Sequence, residues 1–528
     1  MRLSGGRRMN EALQGVRVAG TELTVGVVPR QYARIEPGKC ALHDGERSVT
    51  YAELDARVDA FARSLVALGI ARGDVVCAYL PNCIDYVIVV LGVARSGAIF
   101  SPINPRYKAF EVSAILRQAR PRVIVTTRSG AAVVHEAAGK SAIAPFTLVQ
   151  VDAAADQDGA LALASLVAPR SGVRLPDVAE TDFFSLMFTS GTTGEPKGAL
   201  ATHRARMIWV LNATVQYGLD ERDRYLGTMP QVHSAGLTFT LMHLYAGATV
   251  RIMPHFDAAG FLEIVERERI TSALSVPTML TMIVEAVERG GVSRSTATLK
   301  RLVTCGSPLP LATKRRVIEK LTPDLYDYYG STESNSMTVL RPADQLRKPG
   351  SVGQPFRNVE LMIADPQGRP CAPGVVGEVW CINPSLMTTY RDRPEETQRA
   401  FTGRWFHTGD LGYLDEDGFL HLVSRLSDVV ISGGVNIYPA EVEQVLMLHP
   451  SVLDAAVVGV PDAKWGEAVK AFLVVRAGES VDLAAVQAHC MRHLADFKKP
   501  RSIEIVDALP KNAGGKTIKS ELRRHDHG

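Results

Sequence analysis

The chain has 528 residues and sets 59 Lys and Arg against 56 Asp and Glu, a formal net charge of +3. Apolar residues make up 46% and charged residues 22%, ordinary globular usage that excludes a disordered chain, a collagen-like repeat and a small disulfide-stapled scaffold. So balanced a charge offers no general field for nucleic acid or an anionic membrane, and any site that handles phosphate has to be local.

The opening segment MRLSGGRRMN is basic but has no apolar stretch behind it, so a signal peptide is not expected; Met9 is an alternative start. Thr50 and Glu53 have the spacing of a capping box in front of Leu54, Val58, Phe61, Leu65 and Leu68, which predicts an amphipathic helix ended by Gly69. A buried strand follows at Val75–Leu80, then a helix from about Cys83 to Arg95 and a strand at Arg122–Thr126. The Ala-rich stretch Ala153–Ala168 reads as a surface excursion between subdomains. Further strands are predicted at Phe183–Thr189, Ser272–Val276 and Arg301–Cys305. Strands alternating with helices predict an α/β fold with largely parallel sheets.

After Arg425 the texture changes. Ser432, Gly433 and Gly434 make a turn, a helix begins at Pro439, and strands are expected at Ala455–Val460, Lys470–Arg476 and Ser502–Val506, with a helix at Leu483–Leu494. That is enough chain for a separate small α+β domain. The expected organisation is a large N-terminal domain of layered α/β subdomains over 1–426 and a small mobile C-terminal domain over 427–528.

The seven cysteines form no CxxC and no Cys/His cluster of zinc spacing, so they read as reduced thiols in a cytoplasmic protein. The longest apolar run, Tyr86–Ala94, is too short to cross a bilayer, and the tail carries no lipidation signal, so no integral membrane association is expected.

The strongest chemical signal follows the strand at 183–189: Thr189-Ser190-Gly191-Thr192-Thr193-Gly194-Glu195-Pro196-Lys197-Gly198. Hydroxyls, glycines that let backbone N–H groups approach closely, and one lysine suit a polyphosphate. It is not a Walker A loop, because Gly198 rather than Ser or Thr follows the lysine. A surface turn rich in Ser, Thr and Gly is the bland alternative, and ten specified positions after a strand weigh against it.

This loop resembles the phosphate-binding signature of the adenylate-forming superfamily, which includes acyl-CoA synthetases, peptide-synthetase adenylation domains and luciferases. The resemblance runs in order along nearly the whole chain: Pro230-Gln231-Val232-His233, Tyr329-Gly330-Ser331-Thr332-Glu333, Trp405-Phe406-His407-Thr408-Gly409-Asp410, Arg425 with Asp428, Gly433-Gly434 through Pro439 with Glu441, and Gly515-Lys516. Six motifs in the family's order are highly specific.

The resemblance implies an ATP-dependent carboxylic acid–CoA ligase that forms acyl-AMP and pyrophosphate, then acyl-CoA and AMP. Lys516 would bridge the carboxylate and the α-phosphate, beside Thr332 and Glu333 as the other catalytic candidates. Glu333 would bind Mg²⁺, which favours one or two carboxylates plus phosphate oxygens. Thr189–Gly194 and Lys197 would hold the phosphates, and Tyr329, with Gly306, Ser307 and Pro308, the adenine, Gly330 and Ser331 also touching the nucleotide. Asp410 and Arg425 would take the ribose, since a carboxylate accepts from diols. Gly433 and Gly434 would line the path of coenzyme A; His233, Gly306, Gly330 and Ser331 would border the acyl pocket. Ser427 is the hinge residue. In isolation each has a plainer reading: a solvated lysine, a carboxylate at a helix start, a packed tyrosine, a turn aspartate, an interdomain ion pair, a packed histidine. His203, His243 and His421 are read as structural, and Cys305 receives no nucleophilic role.

Two departures stand out. Ser424-Arg425-Leu426-Ser427-Asp428 replaces the Gly and Lys often present at the family's hinge, and an extra glycine enters the lysine loop at 514. No carboxylate follows His233 to pair a substrate ammonium, which argues against free amino acids and for an apolar acid: aliphatic of medium or long chain, alicyclic or aryl. The alternatives are an adenylating enzyme that passes acyl-AMP to a carrier protein, an NTPase or nucleotide sensor that uses the loop alone, and a non-catalytic homologue, which the intact Glu333, Asp410 and Lys516 argue against. The acid and the oligomeric state are left open, a homodimer included.

Overall fold

In the computed structural model the described residues are 23–157, 159–189, 196–289, 296–432, 435–462, 464–476, 478–479, 481–511 and 517–524. The chain divides into two compact units. One comprises Met1–Phe188 with Gly198–Val210, the other Thr189–Lys197 with Leu211–Gly528.

The first unit begins with a short antiparallel hairpin, β1 (Cys40–His43) and β2 (Ser48–Thr50). The capping box forms as its sequence predicts: Thr50 Oγ1 accepts from the Glu53 N–H at 3.2 Å and the Thr50 N–H donates to Glu53 Oε2 at 2.8 Å, starting the helix Tyr51–Ala67. The parallel strands β3 (Val75–Tyr79), β4 (Ile99–Ile103), β5 (Val123–Thr126), β6 (Thr147–Gln150) and β7 (Ala160–Ala162) follow, in spatial order β4-β3-β5-β6-β7. On the other side of β4 lie β8 (Phe183–Thr189) and then β9 (Lys197–Thr202). The helix Ile84–Ser96 is buried at nearly every position, as expected of a helix packed on two sides.

The Ala153–Ala168 expectation is corrected here. Ala160 and Ala162 are buried in edge strand β7, and Leu163 and Leu166 are buried just after it. The small side chains disguised a strand, because alanine favours no β conformation and hides the alternation.

The second unit is built on β10 (Arg224–Gly227), β11 (Thr249–Ile252), β12 (Ser272–Leu274), β13 (Arg301–Cys305), β14 (Leu325–Ser331), β15 (Asn335–Leu340) and β16 (Gln354–Pro355), ordered β16-β15-β14-β13-β12-β10-β11. From β11 to β14 the pairing is parallel, and β15 turns back antiparallel on β14. One core, containing Leu226, Phe261, Leu280, Leu302, Val317 and Leu325, lies between this sheet and its helices. A second sheet holds β17 (Glu360–Ala364), β18 (Gly377–Ile382), β20 (Phe401–Thr402), β21 (Trp405–Leu414) and β22 (Leu420–Arg425); β19 (Thr389–Tyr390) precedes the helix Pro394–Arg399. After a 3-10 turn, Leu426–Asp428, come β23 (Val430–Ser432), β24 (Val435–Ile437), β25 (Val452–Asp462), β26 (Gly466–Val475) and β27 (Ser502–Ile505). That last sheet has its own core on each face, one around Val442, Val457, Leu473 and Cys490, the other around Val458, Phe472 and Leu522.

Candidate functional site

In a parallel α/β sheet, loops that leave the carboxyl ends of the strands line the crevice where ligands sit. Three motifs leave β10, β13 and β14 at that edge: Pro230–His233, Gly306–Pro308 and Tyr329–Glu333. His233 is the N-cap residue of the helix Ser234–Tyr245. Ser234 Oγ lies 3.4 Å from Asn335 Oδ1, which ties this segment to the β14–β15 turn. Gly306, Ser307 and Pro308 are exposed beyond β13.

The β14–β15 turn is built by hydroxyls. The Ser331 N–H donates to Ser334 Oγ at 3.0 Å and the Ser334 N–H donates to Ser331 Oγ at 3.1 Å, which presents Thr332 and Glu333 at the tip. Asn335 closes the turn with φ of +55°, in the left-handed region that asparagine tolerates. Behind it, Asn383 Nδ2 donates to the carbonyls of Ser334 (2.7 Å) and Ser336 (3.1 Å), and the Met387 N–H donates to the Glu333 carbonyl at 2.8 Å. Gly330 lies at a bulge in the ladder, where an added Cβ would stand 1.7 Å from the Asn335 carbonyl oxygen. No other residue fits.

Glu333 Oε1 accepts from Thr189 Oγ1 at 3.1 Å and from the Tyr390 hydroxyl at 3.2 Å. The end of the strand that feeds the Gly-rich loop therefore touches the carboxylate of a motif 144 residues away. Burial, with Glu333 adding to it, raises the Tyr390 phenol, so it stays protonated and donates. At the far end of the same loop, Lys197 Nζ sits 2.5 Å from Glu396 Oε2 and 5.6 Å from the Tyr390 ring centroid. Arg393 Nη1 also reaches Glu396, at 3.1 Å, and the hydrogen bond from Lys197 holds Glu396 below the usual carboxylate range. Ser190, Gly191, Thr192, Thr193 and Gly194 lie outside the described residues, as do Gly433, Gly434 and Lys516.

Asp410 and Arg425 are direct cross-strand partners in the β21–β22 hairpin. Arg425 Nε lies 2.9 Å from Asp410 Oδ1, and the Tyr329 hydroxyl donates to Asp410 Oδ2 at 2.5 Å. Burial and then Asp410 raise the Tyr329 phenol well above its ordinary value. Each carboxylate oxygen of Asp410 thus has one partner and keeps one acceptor site for a diol. The approach of β21 is set by Thr408, whose Oγ1 donates to the Val379 carbonyl at 2.7 Å and accepts from the Asp410 N–H at 3.0 Å.

Ser427 falls in the 3-10 turn Leu426–Asp428, where Arg523 Nη2 donates to its carbonyl at 3.3 Å and to Asp428 Oδ1 at 3.0 Å. Burial pushes the Cys305 thiol up to about 12, so it is no nucleophile at neutral pH. Burial lowers His203 and His243 to about 4, which leaves both neutral and structural. Sequence reasoning passed over Asn335, Asn383, Tyr390 and Glu396. Only Tyr390, four residues before a helix that opens with Pro394, carries a visible signal, and that signal marks a helix start rather than a site.

A family model described as AMP-binding enzyme matches residues 29–391, and one described as AMP-binding enzyme C-terminal domain matches 441–516. The chain is 35% identical over 499 residues to a 2-succinylbenzoate–CoA ligase of Geobacillus kaustophilus, covering 94% of this chain and 96% of that one. It is 34% identical over 505 residues to a long-chain-fatty-acid–CoA ligase of Mycobacterium tuberculosis, with 94% and 96% covered. Among solved structures, ATP-bound MatB from Rhodopseudomonas palustris superimposes with a TM-score of 0.85 at 29% identity, over 95% of this chain and 99% of that one.

Proposed function

The chain belongs to the AMP-binding enzyme family and is an AMP-forming acid–thiol ligase, and from that premise we propose how its residues divide two half-reactions on an apolar carboxylic acid. In the first, a carboxylate oxygen attacks the α-phosphorus of ATP and pyrophosphate leaves. In the second, the sulfur of coenzyme A, having lost its proton, attacks the acyl carbonyl and AMP leaves.

The observation that carries this reading is the contact between Thr189 and Glu333, which joins the phosphate loop to a carboxylate at 3.1 Å. Joining two anions and building charge at phosphorus calls for cations and N–H donors aimed at that charge. Thr189, the loop 190–194 and Lys197 hold the polyphosphate, and Lys516 bridges the carboxylate and the α-phosphate. Thr332 sits beside Glu333 at the turn tip. The donor set at Glu333 suits Mg²⁺: one carboxylate with the Thr189 and Tyr390 hydroxyls beside it. When bound, the ion neutralises charge on the phosphate oxygens.

Tyr329 offers its ring to adenine while its hydroxyl orients Asp410, and Asp410 with Arg425 receives the ribose diol. Gly306, Ser307 and Pro308 border the base. His233, Gly306, Gly330 and Ser331 border the acyl group. The relatives' names include a long-chain aliphatic acid, which supports an apolar acid, and an aryl acid with a second carboxylate, 2-succinylbenzoate, which leaves polarity and chain length to experiment. We assign the domain boundary to 426/427, where Ser427 lets the C-terminal part exchange Lys516 for the Gly433–Gly434 segment between half-reactions. Thiol usage supports a cytoplasmic setting; no helix among the described residues is long and apolar enough to cross a membrane.

A pyrophosphate-release screen over a panel of carboxylic acids, with and without coenzyme A, tests the reading. Products must be AMP and pyrophosphate, and Lys516→Ala is expected to slow adenylation by at least ~10²–10³-fold. ADP as the nucleotide product would overturn it.

A further inference from the structure

The strands that carry the candidate site at their carboxyl ends hold a different feature at their amino ends. A cavity of about 620 Å³ opens there, lined by Arg222 and Arg224 before and at the start of β10, Arg267, Glu268 and Arg269 ahead of β12, and Lys300 ahead of β13. Five cations face one carboxylate.

The neighbouring acidic groups are already engaged. Glu268 accepts from Arg267 at 3.1 Å and lies 3.4 Å from Arg251; Arg267 also pairs with Glu263 at 2.6 Å. Arg222 pairs with Asp220, and the nearby Asp223 is buried against Arg301 and the Thr271 hydroxyl. Arg224, Arg269 and Lys300 make no ion pair among the described residues, and Nε of Arg224 is buried with no hydrogen-bond partner. Arg269 moreover stands at φ of +52°, where glycine or asparagine would sit with less strain. Three uncompensated cations at one cavity repel one another, an effect that solvent screens only in part, and a bound anion would relieve it further.

We propose that this cavity binds a phosphate-bearing anion of at least two charges, at a site distinct from the one that forms acyl-AMP. Guanidinium forks match phosphate oxygens in pairs, and the volume lies within the roughly 300–1,000 Å³ of small-ligand pockets. Strands of about four residues at ~3.3 Å each hold the two edges roughly 13 Å apart, so the second ligand leaves the acyl-adenylate region free. A soluble phosphate compound and a phospholipid headgroup present the same chemistry.

The test uses the full chain and inorganic pyrophosphate as the probe in titration calorimetry. The variants are Arg269→Ala/Lys300→Ala, both exposed positions whose truncation leaves the core intact, and Lys197→Ala in the phosphate loop. The cavity component is expected to persist in Lys197→Ala and to weaken at least roughly tenfold in the double variant, whose rate of pyrophosphate release stays within about twofold of the parent. Sedimentation with phosphatidylglycerol against phosphatidylcholine vesicles identifies the source. Binding of the parent chain but not of the double variant to the anionic vesicles alone assigns a lipid headgroup; loss of pyrophosphate binding assigns a soluble ligand. If the double variant matches the parent in both measurements, the proposal is overturned. Because Lys197→Ala reports on the adenylation site separately, failure here leaves the ligase reading untouched.

Discussion

Glu396→Gln tests whether the Lys197 ion pair competes with the polyphosphate for that lysine. Glu396 occupies the ammonium of Lys197 at 2.5 Å, with each side chain only 22% exposed. If Lys197 serves the polyphosphate, ATP has to displace that carboxylate. The gross attraction between unit charges 4 Å apart near a protein surface is about 4 kcal/mol, but desolvation and side-chain entropy remove most of it, and exposed pairs net only about 0.2–1 kcal/mol. For a pair this enclosed a net of about 1–1.4 kcal/mol is reasonable, and 1.4 kcal/mol is a factor of ten. Glu396→Gln keeps the shape and removes the charge, so the Kd for ATP should tighten by roughly five- to tenfold. Calorimetric titration with ATP measures it, and a double-mutant cycle supplies the control: in a Lys197→Ala background the same change should have little effect. Because Lys197 holds Glu396 below the usual carboxylate range, the difference should be full at pH 7 and fade only as pH falls through that lowered value. Unchanged or weaker ATP binding in Glu396→Gln would refute the displacement argument.

Ser427→Pro should fold normally, retain acyl-AMP formation and lose most thioester formation, because proline fixes φ and restricts Leu426 before it; single-turnover rates of each half-reaction check it, and an unchanged ratio removes the hinge assignment. Arg523→Ala, which frees the Ser427 carbonyl and Asp428, should shift the same ratio by a smaller factor. Asp415 accepts from Lys348 at 2.8 Å, from two backbone N–H groups and from His421; burial alone would raise it, yet these bonds lower it to about 2. Asp415→Asn should therefore cost about 1 kcal/mol above the ordinary value near 4, after allowance for solvent screening, with the difference vanishing as pH falls through about 2; urea unfolding at several pH values measures it. Lys314 and Asp327 form a buried pair at 4.0 Å. Burial raises the Asp327 carboxyl to about 7 against the pull of Lys314, so Asp327→Asn, which matches the protonated acid, should gain on the parent as pH rises from about 4 to about 7; thermal unfolding at several pH values measures it.

Much of this fold is legible locally. The Thr50–Glu53 capping box, the strand Phe183–Thr189 and the strand Arg301–Cys305 depend on short-range spacing and form where that spacing puts them. Order along the chain also identifies Asp410, Arg425, Tyr329 and Glu333 as a set. What spacing cannot carry is the pairing register. Arg425 meets Asp410 because β21 and β22 pair with a bulge between Leu411 and Gly412, and no pattern in either strand specifies that bulge. Asn383 and Tyr390 were missed for a related reason: each acts on a turn about 50 residues away, through hydrogen bonds that only the tertiary fold creates. The Ala153–Ala168 stretch failed differently, because alanine carries too little apolar surface to reveal which face is buried.

The two glycines proposed to border the acyl group differ in what they leave to variation. At Gly330 a side chain of any size collides with backbone, so the bulge is closed to change by point substitution. At Gly306, φ is +91° and the nearest atom to an added Cβ is Val276 Cγ1 at 3.9 Å, so space exists but the conformation penalises every L side chain. On the proposed reading, an engineer who wishes to shift the acceptable acid from short to long cannot start with either glycine. Adaptation of the acyl pocket, in the laboratory or over evolutionary time, is channelled to Ser331 and to the residues around His233, whose backbone already sits in freely allowed conformations.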